Sequence, residues 1–152
     1  MVTPITSTPE PDEDGALIDA LAQTSFATTA VLTRIAAEHE LSLTQLRVFG
    51  ILRDRQLKMS ELAMYLGLDR STVSGLVDRA EKRGQLQRMP SPVDGRGIHV
   101  TLTAKGREQA ERGAQEVAQA LAPLTDALSR AEQRRLTELL EKMLGAERSP
   151  VR

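Results

Sequence analysis

Between residues 70 and 82 the chain carries Arg70, Ser71, Thr72, Ser74, Arg79 and Lys82 opposite Val73, Leu76, Val77 and Ala80. The apolar set keeps the i, i+3, i+4, i+7 spacing of one buried helix face, so the hydroxyls and cations share the outer face. Hydroxyls exchange hydrogen bonds with base edges, and arginine and lysine neutralise phosphate. The partial positive charge at a helix N-terminus favours an anion there. Small side chains and Gly75 near that end permit close approach. On these residues alone, an ordinary solvated helix surface explains the pattern as well as a nucleic-acid reader does.

Arg88 and Arg96 extend the cationic set. They flank or follow an alternating stretch in which Leu86 and Arg88, then Ile98, Val100 and Leu102, recur every second residue, with His99 and Thr101 between. Alternation of this kind predicts two strands of a β-hairpin with His99 on the solvent side. The connecting residues 90–97, PSPVDGRG, hold two prolines and two glycines and cannot be helical throughout. A guanidinium is planar, permanently charged and weakly hydrated, which suits a groove. Asp94 fits better as a partner of Arg96 that stiffens the hairpin tip, because phosphates repel a carboxylate.

Positioning these residues requires elements upstream. Ser60 is placed as an N-cap, with Leu62, Ala63 and Leu66 forming an apolar stripe behind it. Gly67 can take positive φ, Asp69 can cap the following helix, and Gly84 can stop it. Two short helices about a glycine turn make a helix–turn–helix. A helix of this kind lies in the major groove while a hairpin tip reaches the backbone or minor groove nearby.

The arrangement resembles the MarR family (multiple-antibiotic-resistance regulators). The resemblance rests on Asp94-Gly95-Arg96 with Val100-Thr101-Leu102-Thr103, similar to that family's D-x-R…V-x-L-T wing. These residues follow Leu66-Gly67-Leu68-Asp69-Arg70-Ser71-Thr72-Val73-Ser74 and Leu76-Val77-Asp78-Arg79 at the expected distance. Leu43-Thr44-Gln45 and Leu128-Ser129 with Glu132 are similar to further landmarks, and the likeness runs over roughly residues 15 to 145. Gly95 departs from the pattern where many members have a second arginine, and Leu46 departs where an aromatic is common.

The resemblance implies a mainly α fold with a small β-hairpin, a winged helix-turn-helix domain flanked by N- and C-terminal dimerisation helices. It implies a sequence-specific transcription regulator of the repressor type that binds double-stranded DNA at a pseudo-palindromic operator as a homodimer. Release by a small aromatic or anionic effector, held between the dimer helices and the DNA-reading lobe, is implied too. Phe26, His39, Phe49 and Tyr65 lie on the elements that would line such a cleft.

The 152 residues suit one domain, divided by expectation into an acidic tail (1–14), dimerisation helices (15–39 and 104–146) and a winged lobe (43–103) within a single unit 15–148. The first helix is expected over about 16–37, and Thr44 is expected to cap the next. Thr103 should open a long helix that Pro123 kinks or ends. Ser129 and Glu132 form a capping box for the last helix, which Gly145 should stop. Two Phe, one Tyr and no Trp require an aliphatic core. The net charge of −1 conceals a polarised chain. Residues 1–46 hold one basic and seven acidic side chains, residues 47–107 twelve and six, and residues 108–152 seven and eight. Counterion release responds to such a local basic block rather than to total charge.

The apolar stripes of the first and last helices exceed what a winged domain of this size covers, which predicts a second copy of the chain. With no unbroken apolar run of spanning length and no leader pattern, no membrane partner is expected and the location is expected to be cytoplasmic. Lack of cysteine excludes thiol oxidation, and His39 and His99 are too few for a metal switch. No cofactor is expected. No phosphate-binding loop, dinucleotide fingerprint or metalloprotease spacing supports an enzyme. The alternative is a winged helix whose basic face docks an acidic protein.

Overall fold

The computed structural model describes residues 13–93 and 95–148. In chain order the elements are α1 (Glu13–Glu38), α2 (Leu43–Leu52), β1 (Leu57–Lys58), α3 (Met59–Leu66), α4 (Arg70–Lys82), β2 (Leu86–Pro90), β3 (Ile98–Leu102), α5 (Ala104–Thr125) and α6 (Arg130–Arg148). The acidic tail proposed for residues 1–14 lies outside the described residues except at its end, where α1 already begins at Glu13.

The core of the lobe forms where α2, α3 and α4 meet the sheet. Val48, Phe49, Leu52, Leu62, Leu66, Val73, Val77, Leu86, Val100 and Leu102 all contribute to it. Gly67 adopts φ +66°, and Asp69 caps α4 by accepting from the Thr72 amide, so the turn forms as its residues demand. Lys58, not Ser60, is the N-cap of α3, because the Glu61 carboxylate reaches back to the Lys58 amide at 2.7 Å. Likewise Ser42, not Thr44, caps α2, in a reciprocal pair with Gln45.

The expected hairpin is part of a three-stranded antiparallel sheet in the order β1-β3-β2. Leu57 faces Val100, while Leu86 faces Leu102 and Pro90 faces Ile98. β3 is therefore central, and this corrects the placement of His99. The ring is 8% exposed rather than on the solvent side, flanked across the strands by Lys58 and Met89, whereas Ile98 at the strand's end is exposed.

Thr103 caps α5 and Ser129 with Glu132 caps α6, as expected. α5 runs through Pro123 to Thr125, and α6 continues past Gly145 to Arg148. α1 packs on α2 and α5 through buried Ile35 and Ala36 near its C-terminal end. Its earlier turns expose Leu17, Ile18, Leu21 and Phe26, and α6 exposes Leu136, Leu139, Leu140, Met143 and Leu144. By length and composition α1 would pass for a membrane span over Gly15–Glu38, at a mean hydropathy of 1.2. The span holds no unbroken apolar run of that length, because Asp19, Gln23, Ser25, Arg34 and several threonines interrupt the leucines and alanines.

Candidate nucleic-acid interface

The buried face of α4 is the anticipated one: Val73 and Val77 are wholly buried, Ala80 nearly so and Leu76 half-buried. The outer face presents Arg70, Ser71, Thr72, Arg79 and Lys82 to solvent, with Ser74 half-exposed beside them. Five of these candidates thus share one open surface, and Ser74 borders it.

At the N-terminal end the two hydroxyls are already oriented. Ser71 Oγ donates to Asp69 Oδ1, and Thr72 Oγ1 donates to Asp69 Oδ2 at 2.6 Å. The Thr72 amide adds a third bond at 2.9 Å. Hydrogen bonding by Ser71 and then Thr72 holds the Asp69 carboxyl far below its ordinary pKa, so it remains an anion. With its proton given to Asp69, each hydroxyl oxygen keeps only acceptor capacity for a further partner. Such a pair reads donors, for example the amino groups of adenine or cytosine, in preference to phosphate.

Arg88 is held differently from a free wing side chain. It was expected on the wing as a groove contact, but its guanidinium folds onto α4. It donates to Asp78 Oδ1 at 2.7 Å and to Glu81 Oε2, while its backbone amide donates to Glu81 Oε1 at 3.0 Å. Partial burial opposes its charge, yet the Asp78 hydrogen bond and the pull of Glu81 and Asp78 outweigh that and raise its pKa. Arg88 therefore braces the strand against the helix. A consequence is that Asp78 and Glu81, the carboxylates nearest Arg79 in sequence, are occupied by Arg88, and Arg79 lies back over Gly75. Arg96 is exposed at the tip of the wing, beside Gly95 at φ +67°. The Asp94–Arg96 pair lies outside the described residues.

Beneath the lobe is a cavity of about 660 Å³ between α2 and α5. His39, Phe49 and Tyr65 line it as anticipated. Phe26 does not: it projects from α1, 72% exposed. Aliphatic Leu46 takes the place expected of an aromatic. The cavity also borders Arg47, Arg53 and Arg55, which sequence reasoning missed because ordinary surface arginines look the same. Arg47 donates to the Tyr65 carbonyl at 2.7 Å, and Arg55 donates to the Tyr65 hydroxyl at 3.3 Å while sitting 5.6 Å from the ring centre. His39 Nε2 meets Glu116 Oε2 at 2.7 Å, tying the end of α1 to α5. Among the described residues no three His, Cys, Asp or Glu side chains gather as a metal site.

A helix–turn–helix with a three-stranded wing, carried between long helices, defines a winged-helix protein. The family model described as "MarR family" matches residues 39–97. The transcriptional repressor MprA of Escherichia coli K12 is 33% identical over 92 residues, 60% of this chain and 52% of that protein. The chain thus spans about half the length of the curated relatives it matches. Over nearly full length it is similar to wild-type MarR of E. coli, with 27% identity, TM-score 0.65, and 95% of this chain and 98% of that one covered. A MarR-family transcriptional regulator of Streptomyces coelicolor, Sco3205, solved in complex with DNA, shares the fold at 24% identity and TM-score 0.74, covering 93% of this chain and 96% of its own. The chain is similar to MarR-family proteins in sequence over its central segment and in fold over nearly its whole length. These relatives and fold neighbours are transcription regulators, not enzymes.

Proposed function

We propose that the chain is a cytoplasmic, homodimeric regulator that represses transcription by occupying a pseudo-palindromic operator and leaves it when a small aromatic or anionic effector binds. The observation that carries this reading is the division of α4 into a wholly buried Val73–Val77 side and an open side bearing Arg70, Ser71, Thr72, Ser74, Arg79 and Lys82. Ser71, Thr72 and Ser74 read bases, Arg70, Arg79 and Lys82 meet phosphates, and Arg96 enters the adjacent groove from the wing. Arg88 keeps wing and helix in register rather than touching DNA. The Sco3205 complex with DNA supports use of this fold on a duplex.

Residues 43–103 act as the DNA-reading lobe, and 15–39 with 104–146 as the dimerising part. The exposed leucines of α1 and α6 support that division, since an apolar surface so extensive is costly to leave in water. Twofold symmetry would set two α4 helices roughly 34–36 Å apart, one duplex turn. The effector occupies the 660 Å³ cavity, its ring against Phe49 and Leu46 and its anion toward Arg47, Arg53 or Arg55. An effector that prefers a helix spacing unsuited to one duplex turn empties the operator by population shift.

The test pairs two measurements on the full chain. Light scattering at micromolar concentration should give the mass of two chains, and a monomer mass would remove the twofold model. Retention on duplex DNA should fall steeply with salt. Salt-independent capture of an acidic protein without DNA affinity would instead favour the docking-module alternative.

A further inference from the structure

Next to the effector cavity, and sharing its His39 and Gln109 walls, lies a separate recess of about 430 Å³. Its lining is polar or charged throughout: His39, Glu40, Arg83, Gln85, Lys105 and Gln109. Among the described residues, two cations there are met only by backbone carbonyls. Arg83 Nη1 donates to the Glu40 carbonyl at 3.4 Å, and Lys105 Nζ donates to the Arg83 carbonyl at 2.9 Å. Among the described residues neither forms an ion pair with a carboxylate. His39 is engaged by Glu116, and Gln85 Nε2 donates to Gln109 Oε1 at 3.1 Å, so these walls are fixed. The Glu40 carboxylate is the one negative group of the lining.

Carbonyl dipoles neutralise a full charge poorly, and an oxyanion between Arg83 and Lys105 would complete what they lack. We propose that this recess is a second ligand site, taking the carboxylate or phosphate group of a small anionic metabolite independently of the aromatic cavity. Its location gives the ligand leverage. Arg83 is the C-cap of α4, and Lys105 sits in the first turn of α5. The chain between them is stitched: Thr103 Oγ1 donates to the Gly84 carbonyl at 2.6 Å, and the Thr103 amide donates to the Gln85 carbonyl at 3.0 Å. An anion bridging the two cations clamps the end of α4 onto α5. On the reading of α4 as the DNA-reading helix and α5 as part of the dimer, that clamp sets the distance between the two reading helices.

The experiment titrates inorganic phosphate, and separately malonate, into the full chain at constant ionic strength with chloride as the control. Binding is followed by amide shifts in a two-dimensional nitrogen–proton spectrum. Saturable shifts confined to residues 39–40, 83–85 and 103–109 are expected. A response to phosphate alone would identify a phosphate group as the ligand chemistry, and a response to malonate alone a carboxylate. Lys105→Gln should weaken binding about fivefold, and Glu40→Gln should strengthen it by a similar factor, the reach of a single exposed charge pair. Lys105 is exposed, so the variant keeps the fold, as its melting curve would verify.

Shifts absent with both anions, or unchanged in Lys105→Gln, would overturn the site. So would a loss of duplex affinity in Lys105→Gln without added anion, since the lysine would then be a DNA contact. Operator affinity measured with and without phosphate tests the leverage separately. A chain that binds phosphate here but no duplex would retain the site and refute the regulator reading.

Discussion

Replacing Gly106 by alanine should destabilise the protein although alanine is the better helix former. A Cβ on Gly106 would lie 2.0 Å from the Gln85 carbonyl oxygen and 2.9 Å from its carbon, where relaxed contact is roughly 3.5 Å. The obstacle is backbone and cannot swing aside. It must retreat by more than about 1 Å, and it is held by Thr103. Two hydrogen bonds are at stake: the Thr103 amide to Gln85 O at 3.0 Å, and that of the Thr103 hydroxyl, whose single proton is shared between Gln85 O at 3.2 Å and Gly84 O at 2.6 Å. At about 1 kcal/mol each the loss is about 2 kcal/mol, which the gain of about 1 kcal/mol from replacing a helical glycine reduces to about 1 kcal/mol. For a chain of this length that lowers Tm by roughly 2–4 °C. Circular-dichroism melts at one fixed protein concentration read it directly. Gly113→Ala in the same helix is the control, because its Cβ would meet only Leu46 Cδ1, at an ordinary 3.9 Å. That variant should hold or gain up to about 1 kcal/mol. Gly106→Ala melting at or above the wild type would refute the close approach of α5 to the α4–β2 turn.

Arg88→Gln should weaken operator binding while leaving the slope of log affinity against log salt unchanged, because the residue braces α4 without meeting phosphate; a slope shallower by about one would make it a contact after all. Arg96→Ala should do the opposite, weakening binding and flattening that slope, and an unaltered salt titration would remove the wing from the interface. Asp69 has a depressed pKa in the folded chain, so its contribution is whole above the usual carboxylate range and is lost only as pH falls well below it. Melts of wild type and Asp69→Asn should therefore differ by a constant amount from pH 5 to 8 and converge in strong acid, and convergence already near neutrality would contradict the cap. An aromatic carboxylate such as benzoate should bind the larger cavity and lose affinity in Arg55→Gln or Arg47→Gln, as calorimetry would read; equal binding to both variants would place the anion elsewhere.

Much of the local chemistry was legible in the sequence, although the caps expected at Ser60 and Thr44 lie two residues further back, at Lys58 and Ser42. Asp69, Gly67, Thr103 and the Ser129–Glu132 pair do what their types and spacing require. The inward stripe of α4 was equally readable, because helical period alone fixes it. Most of what else escaped depends on contacts distant in the chain. The two-residue strand β1 has no alternation to detect, and without it β3 reads as an edge strand, which is why His99 was put in solvent. Arg88 seeks carboxylates seven and ten residues back, a pairing that no local period announces. The cavity's arginines and the contact at Gly106 arise only when α2, α5 and the α4–β2 turn come together. Phe26 was expected at the cavity because it lies on the first helix, whereas its position on α1 leaves it on the outer, apolar face.

The central claim is that the open side of α4 enters a DNA groove, and selection of bound fragments from random duplex DNA by the full chain tests it most directly. The account predicts an enriched inverted repeat with half-sites about one duplex turn apart. Arg70→Ala should bind it less tightly with a salt slope shallower by about one, and Ser74→Ala should relax preference at one base pair of each half-site. Recovery of no preferred sequence, or of one bound equally by both variants, would contradict it.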